Sequence, residues 1–158
     1  MAYTAAVLTI SDSSFEGRRQ DLTGPRLSAL LTTQKYDVVL AEVVPDERSQ
    51  IEAALIRACE LAQLVVTTGG TGIAARDVTP EATRAVCERM VDGITQYIRY
   101  RSFQNTPRAA LSRAVSGTRG RSLIVNLPGN PEGAVESLSF ILQLIPHALE
   151  LLQGNTEH

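Results

Sequence analysis

The 158-residue chain has no tryptophan, and aromatic residues make up only 4% of it. Stacking platforms for single-stranded nucleic acid are therefore not expected. A formal net charge of -2 argues against a general nucleic-acid binder. Histidine occurs only twice, as His147 and His158, too few for a Ser-His-Asp arrangement or a histidine-ligated zinc to be expected. Cysteine also occurs twice, and neither Cys59 nor Cys87 has a partner at metal-ligand spacing. With no sign of secretion, free buried thiols are expected rather than a disulfide. No apolar run is long enough to span a membrane. Met1-Ala-Tyr-Thr4 lacks a basic leader and reads as the approach to a first strand, so cytoplasm is the default location.

One absence is local. Between Gly93 and Pro131 there is no Asp or Glu, yet there are six arginines: Arg99, Arg101, Arg108, Arg113, Arg119 and Arg121. Genome bias explains arginine in place of lysine, because the chain has a single lysine, Lys35. It does not explain the missing acids. A segment that helps hold a polyanion does, since arginine grips phosphate through a bidentate fork.

What is present is ordinary for a globular protein: 44% hydrophobic and 20% charged residues, enough for one domain over residues 1–153 with a frayed tail at 154–158. Ala5–Ile10, Tyr36–Val44, Leu64–Thr68 and Ser122–Leu127 read as strands. Ser112–Ser116 reads as a further strand, separated from the last by a Gly117–Gly120 turn. Helices are expected from near Pro25, capped by Thr23; from Ser49, on the stripe Ile51, Leu55, Ala58 and Ala62; over Pro80–Met90; and over Ile94–Phe103, after a break at Gly93. Pro107–Leu111 reads as a short helix or turn. A long stripe from Ala134 to Leu152 is expected to kink or restart at Pro146. Strands alternating with helices imply a three-layer α/β/α fold, with a mostly parallel sheet carrying one antiparallel strand.

Ligands of such sheets bind at the carboxyl ends of the strands. Four polar segments fall there. Ser11-Asp12-Ser13-Ser14 follows the first strand, Asp46 the second, and Thr67–Ala82 (TTGGTGIAARDVTPEA) includes the end of the third. Asn126-Leu127-Pro128-Gly129 ends the last. In the third segment Gly69, Gly70 and Gly72 bare the backbone around Thr71, and such turns offer N–H groups to anions. Thr79 is read as an N-cap with Pro80 in the first turn. The turn lacks the Gly-Lys-Ser/Thr ending of a P-loop. It matches G-x-G-x-x-A, but after the third strand rather than the first, which disfavours a dinucleotide fold. Asp77 is a candidate Mg²⁺ ligand, or else a structural carboxylate at the coming helix; Asp46 is its plausible partner. Asp12 is either a site residue or an Asx-turn residue. Glu81 reads as helix-start chemistry. The scarcity of histidine suits nucleotidyl transfer to a phosphate, whose nucleophile is already anionic and needs no strong base.

SDSS, VPDE, TTGGTG, RDVTPEA, LSRAVSGTRG and LIVNLPGNP occur in order over most of the chain. Together they resemble the molybdopterin adenylyltransferase family of molybdenum cofactor biosynthesis, related to the corresponding domain of gephyrin. The resemblance implies a homotrimer, Mg²⁺, and ATP as co-substrate. The terminal phosphate of molybdopterin would attack the α-phosphate and release pyrophosphate, and the product could pass to a molybdenum-insertion enzyme. It implies that Asp46 and Asp77 are catalytic and bind the metal. Ser11, Asp12, Gly69, Gly70, Thr71 and Gly72 would serve the nucleotide and phosphate half. Ser112, Arg113, Asn126, Pro128 and Gly129 would line the pterin end. A sister branch tends to lack the arginine and threonine of RDVTPE, so Arg76 and Thr79 favour the adenylyltransferases. Thr23-Gly24-Pro25 departs from the family's Ser-Gly-Pro. A non-catalytic pterin-binding or scaffold trimer is the alternative, and a nucleotide-dependent enzyme of the same fold with another pterin or nucleotide as substrate is a third reading.

Overall fold

A computed structural model describes residues 2–156. Strands β1 (Thr4–Ile10), β2 (Asp37–Val44), β3 (Leu64–Thr68), β4 (Arg89–Met90), β5 (Ser116–Arg119) and β6 (Ser122–Leu127) form one sheet in the order β2-β1-β3-β6-β5-β4. The four strands β2, β1, β3 and β6 are parallel, and β5 runs antiparallel to both its neighbours. The expected mostly parallel sheet with one antiparallel strand is what forms.

Alternation along the strands divides the core in two. Ala5, Val7, Leu64, Val66, Leu123 and Val125 face one way. They pack on α2 (Thr23–Thr33), α5 (Asp92–Phe103), α6 (Pro131–Ile141) and α7 (Ile145–Leu152). Ala6, Leu8, Ile10, Val65 and Ile124 face the other way, onto α3 (Arg48–Leu61) and α4 (Thr79–Val86). Leu8, Leu27, Leu55 and Leu138 are fully buried, and truncating one such leucine costs about 2–5 kcal/mol. Both cysteines are free and half-buried, and burial raises both thiols, Cys87 to about 11.

Several boundaries differ from the sequence reading, each for a local reason. The Pro80–Met90 helix stops at Val86. Cys87 turns extended, and the Glu88 and Val91 amides donate to Thr118 and Ser116 across β4 and β5. Gly93 sits inside the first turn of α5 and breaks nothing. The fifth strand begins at Ser116, not Ser112, and the expected turn Gly117–Gly120 is mostly strand. Gly117 is small because a Cβ there would press on the Arg89 carbonyl and the Cys87 sulfur, at 2.6 and 2.7 Å. The reversal is Gly120-Arg121, with Gly120 at φ +58, as a two-residue hairpin needs at its first central position. A single helical turn, α1 (Asp12–Phe15), forms in the polar segment after β1, with Ser11 Oγ accepting from the Ser14 amide. Thr23 does not cap α2; Asp21 does, accepting from the Thr23 and Gly24 amides.

The long stripe does restart near Pro146: α6 and α7 meet at a 64° bend. Among the described residues no single helix is long and apolar enough to cross a membrane. The Gly154 and Asn155 amides bond back to Leu151 and Glu150, closing α7 with a left-handed glycine. Glu157 and His158, the end of the expected tail, lie outside the described residues.

The same closure ends α2 without a glycine. The Tyr36 and Lys35 amides donate to Leu31 and Thr32, and Lys35 is held at φ 71. A side chain in that region carries a steric cost. Lys35→Gly is therefore expected to stabilise the protein by about 1 kcal/mol, seen as a higher urea midpoint at unchanged slope. No gain would mean that packing of the lysine stem offsets the backbone strain.

Candidate active site

The glycine turn is wedged between the ends of β1 and β6. Gly69 lies at φ +99 and Gly70 at φ +68. A Cβ on Gly69 would collide with the Ile10 carbonyl oxygen, and a Cβ on Gly129 would sit 3.2 Å from the Gly69 Cα. The turn is tied down at its edges. The Gly69 amide donates to Leu127, Thr68 Oγ1 to the Pro128 carbonyl at 2.7 Å, and Thr23 Oγ1 to the Gly129 carbonyl at 3.0 Å. Thr79 was expected to cap α4, but its hydroxyl donates instead to the Gly69 carbonyl, and its amide to Gly70. Among the described residues no acceptor takes the amides of Gly70, Thr71 or Gly72. Three successive free N–H groups at a left-handed turn make an anion cradle.

Each candidate carboxylate lies against a glycine of this turn. Asp46 Oδ1 is 3.1 Å from where a Gly70 Cβ would stand, and Asp77 Oδ2 is 2.9 Å from the same point on Gly72. Asp77 Oδ2 also accepts from the Ala74 amide at 3.0 Å. Asp46 is interlocked with Asp12: the Asp12 amide donates to Asp46 Oδ2, and the Asp46 amide to Asp12 Oδ1, both at 2.9 Å. Burial pushes the Asp46 carboxyl above the usual carboxylate range. The Asp12 amide opposes this, and the Asp12 and Asp77 charges add to it. Asp12 goes the other way: its own burial raises it, but the Asp46 amide and Arg76 outweigh that and hold it low.

Arg76 clamps this side. Its Nε and Nη2 donate to the two oxygens of Asp12 at 3.0 and 3.1 Å, and Nη2 also reaches Glu47 Oε1 at 3.0 Å. Three loops, after β1, β2 and β3, are thus joined by one guanidinium. Sequence reading kept Arg76 as a family marker and did not foresee this bridge.

Asn126 is expected at the pterin end, but its side chain is buried and fully used. Both amide hydrogens go to threonines, Thr67 and Thr83, at 3.0 Å, and Oδ1 accepts from the Val115 amide. Thr83 in turn donates to the Thr79 carbonyl at 2.8 Å. This network sits under the glycine turn and stiffens it. The row of buried threonines at 67, 68, 79 and 83 was its only trace in the sequence.

Two cavities flank the turn. A further cavity, of about 420 Å³ at the other end of the sheet near Tyr3 and Tyr36, faces none of these groups. The first flanking cavity, about 360 Å³, is bounded by Ser11, Ser14, Thr23, Thr68, Gly69 and Gly129. The other, about 570 Å³, is bounded by Thr71, Gly72, Arg99, Arg108, Ser112 and Pro128. Of the six arginines in the acid-free segment, only Arg99 and Arg108 line it. Arg101 stacks 4.6 Å over the Phe140 ring. Arg119 and Arg121 lie at the hairpin before β6, the opposite end from the site, which takes both out of the segment expected to hold a polyanion. Arg113 is engaged with Gly72, Asp77 and Glu81.

The chain is similar to known proteins over most of its length. Residues 6–147 match the family model described as probable molybdopterin binding domain. The chain is 42% identical to a molybdopterin adenylyltransferase from Helicobacter pylori, over 94% of this chain and 87% of that protein. Gephyrin from Dictyostelium discoideum is 35% identical over 96% of this chain, which corresponds to 23% of gephyrin. A solved molybdopterin biosynthesis enzyme from Thermus thermophilus superposes with a TM-score of 0.90 at 45% identity, covering 96% of this chain and 97% of the other.

The wedge makes unequal demands on glycines. Gly69→Ala combines a forbidden φ with a backbone collision and is expected to cost about 3 kcal/mol or more. Gly120→Ala, at φ +58 with nothing within 4 Å of the new methyl, is expected to cost only about 1 kcal/mol. Chemical denaturation of both variants tests this; equal costs would mean that the turn relaxes away from Ile10.

Proposed function

The chain belongs to the family of probable molybdopterin binding domains, and from that premise we propose that it is a molybdopterin adenylyltransferase of molybdenum cofactor biosynthesis. ATP is the adenylyl donor. An oxygen of the terminal phosphate of molybdopterin forms a bond to the α-phosphorus of ATP, the bond from that phosphorus to the bridging β-oxygen breaks, and pyrophosphate leaves with its electron pair. The free amides of Gly70, Thr71 and Gly72 carry this reading. They stand ready to receive phosphate oxygens without reorganising, and preorganised donors at developing charge supply much of the rate in such transfers.

Asp46 and Asp77 suit Mg²⁺. Hard cations take carboxylate oxygen, and Mg²⁺ is usually held by one or two carboxylates plus substrate phosphates. Among the described residues no group of three or more His, Cys, Asp or Glu forms an all-protein cage. Bound there, the ion would neutralise phosphate charge in the transition state. The chain's own residues do the rest. Arg76 and Asp12 orient Asp46, the threonine–Asn126 network holds the turn, and Ser112 and Arg108 border the cavity in which we place the pterin. No general base is needed, since the attacking phosphate is already an anion, and His147 lies on α7 beside Pro146, which lines the hollow at the far end of the sheet.

We further assign residues 1–153 to one domain and place the protein in the cytoplasm, where ATP is at hand. A homotrimer fits the exposed apolar side chains Tyr100, Phe103 and Leu111 on α5 and the short Pro107–Leu111 helix, and the product would pass to a molybdenum-insertion enzyme.

Pyrophosphate release from ATP in the presence of molybdopterin is the direct test. The wild type should turn over, and Asp46→Ala and Asp77→Ala should each lower kcat by about 100-fold or more. A wild type that binds both substrates without releasing pyrophosphate would return the chain to the non-catalytic reading. Sedimentation should give three times the chain mass, falling to one when Tyr100 and Phe103 are changed to charged residues.

A further inference from the structure

Arg113 is expected to line the pterin end, but its donors are directed to the protein itself. Its main-chain amide donates to the Thr71 carbonyl at 2.7 Å. Nε donates to the Gly72 carbonyl and Nη2 to the Asp77 carbonyl, both at 2.7 Å. Nη1 and Nη2 bind the two oxygens of Glu81 at 2.6 and 3.3 Å. A guanidinium has five N–H donors, so a single one remains, too few for a bidentate grip on phosphate.

Apart from the exposed Arg76 side chain, bound to Asp12 and Glu47, the segment that Arg113 holds has little else to fix it. Residues 73–76 are exposed, Ile73 by 70%. Its internal bonds join only Ala74 and Asp77. The guanidinium therefore spans the segment at both ends, at the carbonyl before it and at the residue that carries the candidate metal carboxylate. Glu81 is anchored in the first turn of α4, behind buried Thr79 and Pro80. Its hydrogen bonds from Arg113 keep its carboxyl below the usual glutamate range, so the pair stays ionised at neutral pH.

We propose that Arg113, held in register by Glu81, is a positioning residue for the nucleotide half of the site: it sets the Gly72–Asp77 loop and through it the Asp77 carboxylate. This rests on the adenylyltransferase reading for its kinetic consequence but not for its structural one. A lysine cannot reproduce the arrangement, because one ammonium cannot reach two carbonyls and both oxygens of a carboxylate in a plane. Displacing a reacting constellation by about 1 Å costs about 100-fold in rate.

Glu81→Gln separates this role from a direct grip on substrate. Steady-state pyrophosphate release, calorimetric binding of a non-hydrolysable MgATP analogue and of molybdopterin, and hydrogen exchange at residues 72–79 are to be measured on the wild type, Glu81→Gln and Arg113→Lys. Both variants should lower kcat by about 10- to 100-fold and weaken the analogue, with molybdopterin affinity kept within about twofold. Exchange at Asp77 and Thr79 should quicken while the unfolding midpoint barely moves. If Glu81→Gln keeps wild-type kcat and exchange, or Arg113→Lys weakens molybdopterin alone, the positioning role is wrong and Arg113 grips the pterin substrate. Should Arg113→Lys fail to fold, the near-isosteric Glu81→Gln decides alone. A wild type without turnover would sink the adenylyltransferase reading, while the exchange data would still test the clamp.

Discussion

The close approach of Gly69 to the Ile10 carbonyl on one side and to Gly129 on the other governs the rest of the site. It draws the ends of β1, β3 and β6 so near that no side chain fits between them. That closeness suits only a left-handed glycine backbone, and the next three amides are left without an acceptor among the described residues. The binding surface is thus a consequence of packing at the strand ends. The threonine hydroxyls secure it: Thr68, Thr79 and Thr23 each donate to a carbonyl of one of the two turns, Gly69–Gly70 and Pro128–Gly129. A hydroxyl bonded to a carbonyl contributes about 1 kcal/mol net, but loss of the Thr79 hydroxyl would deprive the buried Gly69 carbonyl of that partner where the turn has no slack.

Much of this was legible in the sequence because it is local. Strands β1, β3 and β6 and helix α3 follow from apolar runs and a 3.6-residue stripe. The glycines, Asp46 and Asp77 follow from their positions after strands. What stayed hidden depends on residues far apart in the chain. Arg113 meets Glu81 across 32 positions, Arg76 meets Asp12 across 64, and Asn126 meets Thr67 across 59. No periodicity encodes such pairings. The acid-free, arginine-rich stretch misled for the same reason: its composition suggested one surface, but the hairpin carries Arg119 and Arg121 to the far end of the sheet. Gly117 misled differently, since a glycine made necessary by a neighbouring carbonyl looks the same in sequence as one made necessary by a turn.

The pattern of charge separates residues that hold the frame from residues left open. Two arginines stand near the proposed metal carboxylates, and each is already bound. Arg76 is taken by Asp12 and Glu47, and Arg113 by Glu81 and two carbonyls. An unpaired guanidinium in the same place would fold onto Asp46 or Asp77, because a charge-assisted bidentate bond is among the stronger contacts available to either. Glu47 and Glu81 forestall that collapse. They leave Asp46 half-buried, its carboxyl raised by that burial and further by the Asp12 and Asp77 charges. A carboxylate in that state gains from a cation that arrives with the substrate, and the neighbouring neutral amides accept phosphate without competing for it. These two arginines are thus committed to architecture, while Oδ1 of Asp46, Oδ1 of Asp77 and the three amides remain for an incoming metal–nucleotide complex.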